Sequence, residues 1–219
     1  RHTFDGASVF AGTGLSAWNV GEVTNMYGMY QNAVKFDGDL SLWNTAKVTD
    51  MALMFYKAYL FTGTGLSSWN VGKVKYFNQM FDYSHLMNAG LSKWDTSQAT
   101  NMAYMFRQAK VFNCDLSKWQ TSSVTTMDTM FEHAHAFEGT GLSNFDVSKI
   151  TNMNKMFKAT KSMNADLSKW DTSQVTTMIE MFDGASIFTR TSDSLSMWNV
   201  AEVISSYCVN LSLSLFTQL

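Results

Sequence analysis

Apolar positions recur along this 219-residue chain with a period close to 25. Leu15, Leu40, Leu66, Leu91, Leu116, Leu142, Leu167 and Leu195 open the same phrase, at spacings of 25, 26, 25, 25, 26, 25 and 28 residues. Serine follows every leucine, and an aromatic stands three residues on: Trp18, Trp43, Trp69, Trp94, Trp119, Phe145, Trp170 and Trp198. Two later columns are methionine. The first holds Met26, Met51, Met102, Met127, Met153 and Met178, with Phe77 standing in once; the second runs from Met29 and Met54 to Met181. The next residue is aromatic in each unit, from Tyr30 to Phe182, and the unit closes on Phe36, Phe61, Met87, Phe112, Phe137, Met163 and Phe188.

A unit this short cannot bury its own apolar stripe, whereas stacked copies form one continuous core. Leu15, Trp18 and Val20 follow the L-x-x-L-x-L spacing of a leucine-rich-repeat strand. Met26, Met29, Tyr30 and Ala33 fall at i, i+3, i+4 and i+7, one face of a short helix. Glycines, alone or as Gly-Thr-Gly at 12–14, 63–65 and 139–141, mark turns. The pattern predicts an α/β fold: a leucine-rich-repeat-like solenoid of ~25-residue units, with a parallel strand ladder on one face and short helices on the other. One domain then spans 1–219, with a partial repeat over 1–14, seven repeats over 15–194, and a last partial repeat with a C-terminal cap over 195–219. Phe4, Ala7 and Phe10 match the end of a unit, so the chain begins inside a repeat. Arg190 to Ser194 form a small insertion, and Leu211, Leu213 and Leu215 alternate with polar residues as a capping strand would.

Composition removes several function classes. Sixteen Lys and Arg against 18 Asp and Glu leave a net charge of −2, so no basic excess supports nucleic-acid binding. The apolar runs fall far short of the ~20 residues that span a bilayer. Two cysteines make no disulfide framework. Proline is absent, as expected where a missing N–H or a fixed φ would disturb a ladder. Thirteen of the sixteen methionines belong to the two interior columns, which makes them core side chains rather than metal ligands.

The phrase L-S-x-W-N/D-T/V-x-x-V-T-x-M-x-x-M-F-x-x-A-x-x-F, carried most fully by residues 118–131 and 169–182, resembles the repeat of BspA-like leucine-rich surface proteins. More narrowly, it is similar to the branch known from mycoplasma lipoprotein-like surface proteins and marine microalgae. The resemblance covers residues 4–209. It implies a secreted or cell-surface solenoid for adhesion or partner binding, with no catalytic residues.

The candidate partner-binding strip is the column after the aromatic: Asn19, Asn44, Asn70, Asp95, Gln120, Asp146, Asp171 and Asn199, flanked by Lys93, Lys118 and Lys169. On the leucine-rich template this column points out from the concave face. The alternative is that each Asn or Asp caps a turn through its own side chain. A threonine column (Thr24, Thr49, Thr100, Thr125, Thr151, Thr176), interrupted by Lys75, allows ice or polysaccharide binding as a further reading. His85 and His135 share a column two coils apart, too far for one zinc. Asp37 and Asp39 lack the repeated pattern of calcium-binding coils. Cys114 and Cys208 are placed too far apart to pair, and Asn210 heads a glycosylation sequon. No nucleophile elbow, phosphate loop or carboxylate pair near histidine is present. The expectation is a non-enzymatic module without cofactor or metal. Its partner is another protein or cell-surface ligand outside the cell. The alternative is a scaffold subunit of a larger complex or an organelle lumen.

Overall fold

The computed structural model describes residues 1–188 together with Leu195 and Trp198. The insertion at Arg190 to Ser194, the capping strand, Asn199, Cys208 and the Asn210 sequon all lie outside the described residues.

The chain winds into stacked coils, one per repeat, but the expected α/β class is wrong. Among the described residues there is no α-helix and no β-strand. Regular structure is limited to three single-turn 3₁₀ segments, Leu15–Ala17, Leu66–Ser68 and Leu142–Asn144, and to isolated parallel bridges. The coil is built instead from successive four-residue turns. In the coil opened by Leu40, the Trp43 N–H donates to the Leu40 carbonyl at 3.1 Å, Val48 to Thr45 at 2.9 Å and Met54 to Met51 at 3.2 Å. Ala58 then donates to Phe55 at 3.0 Å, and Phe61 to Ala58 at 3.1 Å. Each turn begins and ends on a buried residue. All of these residues are 4% exposed or less. The three-residue spacing of the apolar columns is therefore the spacing of turn ends.

The helix expectation fails for a physical reason. An α-helix needs each N–H to point back to the carbonyl four residues earlier. Here alternate N–H groups point sideways to the next coil: Met51 donates to Tyr76, Leu53 to Asn78, Phe55 to Met80 and Lys57 to Asp82, at 2.8–3.0 Å. Turning those groups out requires left-handed backbone twice per coil. Leu53, Gln79, Tyr104, Thr129, Lys155 and Glu180 form one such column, with φ of 54–60°. Lys57, Tyr83, Gln108, His133 and Ala159 form the other, four residues on, with φ of 55–62°. Non-glycine residues adopt this conformation at a cost on the order of 1 kcal/mol each, so the cross-coil bonds must offset it.

The strand ladder also lies elsewhere than expected. Leu40 and Trp43 close a turn, and the parallel bridges sit just before the first methionine column: Asn25 to Asp50 to Tyr76 to Asn101 to Thr126, then Asn152 to Thr177. Between Thr126 and Asn152 no bridge forms. Bridges one residue wide never lengthen into a strand, because the turns on either side bend the chain away.

Interior side chains stack in register. Phe4, Tyr30, Phe55, Phe81, Phe106, Phe131, Phe157 and Phe182 form one continuous column with ring centroids 5.3–5.8 Å apart. Each buried aromatic contributes about 1.5–3 kcal/mol through burial. Trp43 and Trp69 stack with parallel rings at 6.3 Å, and every tryptophan indole but that of Trp18 donates to the leucine carbonyl of the preceding coil: Trp43 to Leu15, Trp69 to Leu40, Trp94 to Leu66, Trp119 to Leu91, Trp170 to Leu142 and Trp198 to Leu167, at 2.8–3.2 Å. Phe145 has no indole, so Leu116 receives no such bond from its neighbour.

The 25- and 26-residue spacings correspond to two ways of entering a coil. In the shorter units opened by Leu40, Leu116 and Leu167, Asp39, Asp115 or Asp166 precedes the leucine, and its carboxylate accepts the serine N–H two residues on, at 2.7–2.9 Å. Leu91 instead follows Gly90 and donates its N–H to Cys114 Sγ at 3.0 Å. In the longer ones a left-handed glycine, Gly65 (φ 93°) or Gly141 (φ 96°), starts the 3₁₀ turn. A Cβ on Gly65 would lie 2.3 Å from the Ser41 nitrogen.

Two substitutions should move stability in opposite directions to ordinary expectation and to each other. Ala159→Gly relieves a left-handed alanine (φ 55°) and is expected to raise stability by about 1 kcal/mol. Gly65→Ala is expected to lower it by about 2 kcal/mol. Urea midpoints of the two variants check both, and a loss of stability in Ala159→Gly would contradict the strain assignment.

Candidate functional site

The strip singled out by sequence is a line of turn corners. Asn19, Asn44, Asn70, Asp95, Asp146 and Asp171 are exposed, and in each the Oδ1 accepts the backbone N–H two residues on, at 3.0–3.2 Å. The turn-capping role is therefore present at all six of these Asn and Asp positions. Gln120, whose side chain is longer, makes no such bond; its N–H donates to Thr96 Oγ1 at 2.9 Å. Buried threonines one column in hold the corners in line: Thr45 Oγ1 donates to the Asn70 carbonyl, Thr96 to Gln120 and Thr121 to Asp146. Lys93, Lys118 and Lys169 are exposed beside this line. A shallow open depression bounded by Lys73, Lys75, Asp95 and Gln98 adjoins it where Lys75 interrupts the threonines.

The threonine column is outward, but four of its six hydroxyls, those of Thr49, Thr100, Thr125 and Thr176, are committed. Thr49, Thr125 and Thr176 each donate to the carbonyl of the column residue one coil back, at 3.1–3.2 Å. Cys114 is a buried free thiol occupying a slot that other coils fill with glycine or alanine. Its Sγ accepts the Leu91 N–H at 3.0 Å, and burial pushes the thiol up. Among the described residues no cluster of three His, Cys, Asp or Glu could hold a metal ion, and no helix is long and apolar enough to cross a membrane.

A second outer face was not anticipated. It covers the coils opened by Leu40, Leu66 and Leu91, outside the left-handed turns. Tyr59 and His85 stack at 5.0 Å, and Tyr83 lies 6.2 Å from His85 and 6.4 Å from Tyr56. Cations cover the rings: Lys57 Nζ is 5.0 Å from the Tyr56 centroid, and the Arg107 guanidinium is 5.2 Å from Tyr83 and 4.9 Å from Tyr104. Leu60, Leu86 and Val111 form an adjoining apolar column, 41–47% exposed. Lys35 precedes them in this column and Ala136 and Ser162 follow, so these three adjoin one another, apart from the single exposed residues Val9 and Ile187 in the same column.

Beneath this face sits an ion pair. Arg107 Nε donates to Asp82 Oδ1 at 2.8 Å and its Nη2 to Oδ2 at 2.7 Å; the Asp82 side chain is fully buried. Burial pushes the Asp82 carboxyl up, and the two bonds from Arg107 pull against it. The same carboxylate holds the Arg107 guanidinium charged. Arg107 is thus fixed from below by a salt bridge and on its sides by two tyrosine rings. His85 and His135 are both held below the usual histidine range, first by burial and then by neighbouring cations, Lys110 for His85 and Lys161 foremost for His135.

The signal that could have revealed this face is the failure to repeat. Its columns carry tyrosine, lysine, arginine, histidine and leucine in coil after coil without a consensus, whereas the interior columns hardly change.

A family model described as a Mycoplasma protein of unknown function, DUF285, matches residues 1–65, 61–141 and 135–218. No curated protein matches the chain. Among solved structures, it is similar to the leucine-rich repeat domain of APL1B, at 10% identity over 74% of this chain and 57% of that one, with a TM-score of 0.30. A Drosophila Toll–Spatzle complex gives 11% identity over 76% of this chain and 24% of that one, with a TM-score of 0.33. Internalin C2 of Listeria monocytogenes gives 14% identity over 86% and 77%, with a TM-score of 0.23. The chain thus spans little more than half the length of the first and a quarter of the second. Likenesses of this size carry nothing about shared function.

Two outcomes follow from the electrostatics. Arg107→Met leaves a buried carboxylate without its partner and should cost about 3 kcal/mol, much of which the double variant Asp82→Asn/Arg107→Met should restore; denaturant titrations of the three variants measure it, and no recovery would show that the pair acts through something other than charge. The corner carboxylates Asp95, Asp146 and Asp171 are held low by the serine hydroxyl and N–H groups they accept. A folded pKa below the unfolded value of about 3.9 stabilises above that pH and is lost as pH falls through the folded values. Their contribution should therefore be complete and independent of pH near neutrality and fall away below about pH 4. Replacing the three with Asn should flatten that acid limb in a pH series of urea midpoints.

Proposed function

We propose that this chain, which belongs to the DUF285 family, is a non-enzymatic repeat module that binds another protein through the aromatic and cationic face of the coils opened by Leu40, Leu66 and Leu91. The observation that carries this reading is the contrast between repeating and non-repeating columns. Repeated side chains are accounted for by the core, the corners and the cross-coil bonds. Tyr59, His85, Leu86, Arg107 and Val111 serve none of these roles coil by coil, yet they gather on one surface. Tyrosine and arginine beside exposed aliphatics are the residue types that dominate protein interfaces. The resemblance to BspA-like surface repeats supports display outside the cell or on its surface, where such a module would act in adhesion.

A photo-cross-linking residue at position 86 should yield an adduct with one protein when the chain is presented to the surface proteins of its source cells. The same residue at position 42, an exposed site beside the corner strip, should not. An adduct from position 42 alone would move the contact to the corner strip; none from either would remove the binding reading. Protease applied to intact cells should cleave the chain, and protection would remove the surface assignment.

A further inference from the structure

We propose that the partner of the aromatic and cationic face is an acidic polypeptide segment whose carboxylates stand beside apolar side chains, an inference that rests on reading the chain as a protein-binding module. The whole chain carries −2, yet on this face the three coils hold Lys57, Arg107 and Lys110 against one carboxylate, with Glu132 of the next coil bordering Arg107. That carboxylate, Asp82, is fully buried and spanned by Arg107. With Arg107 and Asp82 offsetting each other, the charges left on the face of these coils are those of Lys57 and Lys110.

Ring occupancy separates a peptide from a glycan. Sugars bind aromatic residues by laying their C–H faces on open rings. Here each ring already carries a partner: Lys57 lies against Tyr56 and, at 6.0 Å, against Tyr83; Arg107 lies against Tyr83 and Tyr104; His85 stacks on Tyr59. Less ring face is open to a sugar than on a bare tyrosine cluster. Beside the rings Leu60, Leu86 and Val111 offer exposed branched carbons, which a peptide's aliphatic side chains can cover and a polar glycan cannot.

Arg107 is held by two hydrogen bonds and two rings, and Lys57 by its tyrosine neighbours, which also raise its pKa. Little side-chain freedom remains to be lost when a carboxylate arrives, so the electrostatic gain is less offset than on a surface of free lysines.

The test is a random-peptide display selection on the 219-residue chain, counter-screened on Lys57→Glu/Lys110→Glu, with thermal melting used to confirm that the variant is folded. The selection should enrich peptides with Asp or Glu next to Leu, Ile or Phe. A synthetic representative, followed by fluorescence anisotropy, should lose at least about tenfold in affinity on the variant, on Glu→Gln exchange in the peptide, and as salt is raised. Enriched neutral or basic peptides that the variant retains but Leu60→Ser/Leu86→Ser loses would overturn the acidic partner while leaving the binding module standing. No enriched peptide, with heparin bound by the chain and lost on the variant, would replace it with an anionic polysaccharide. Neither peptide nor heparin bound would remove both readings.

Discussion

The backbone N–H that points along the stack instead of along the chain is the constraint on which this fold depends. In the described coils, Met127 excepted, alternate residues from the first methionine column onward give their N–H to the next coil, as Met26, Gly28, Tyr30 and Asn32 give theirs to Asp50, Ala52, Met54 and Tyr56. These bonds set the register at one repeat per coil. Interior rings stack because they are carried at that register, and the turns between them are the bends needed to return the chain to the same place. Proline cannot serve in such an arrangement, and the chain has none.

The same constraint explains where variation is allowed. A side chain whose Cβ points inward must fill a slot of fixed size, so Met, Phe, Ala and Leu recur. A side chain on the outer edge of the left-handed turns meets only its neighbours above and below. It can be tyrosine, lysine or histidine without disturbing the register, provided any buried charge is met, as Arg107 meets Asp82. A repeat protein of this kind acquires a distinct surface by drift in its outward columns, at little cost to the core.

The repeat, the interior columns and their burial were legible because apolar periodicity reports burial directly: Leu40, Trp43, Met51 and Phe55 are all 3% exposed or less. The secondary structure was not. Met26, Met29, Tyr30 and Ala33 have helical spacing, but consecutive four-residue turns produce the same spacing, and apolarity cannot tell a turn end from a helix face. The decisive residues are the left-handed ones, and Leu53, Thr129 and Ala159 give no hint of it, since the left-handed positions are imposed by cross-coil bonding rather than chosen by local propensity. At the corner strip, exposure was correctly read, and the capping alternative is visible in every Asn and Asp described there. The aromatic face escaped because attention to what repeats passes over Tyr56, Tyr83 and Arg107, which do not.

Among the described coils, one interface lacks bonds that its neighbours have. Between the coils opened by Leu116 and Leu142 the bridge at Thr126 and Asn152 is missing, and Phe145 brings no indole to Leu116. Four backbone bonds, given by Thr129, Phe131, His133 and Asn164, still cross it. Mechanically, the molecule is therefore not a uniform spring. Load applied along the stack meets its least resistance at that seam, leaving the block that carries the aromatic face intact on one side of the yield point.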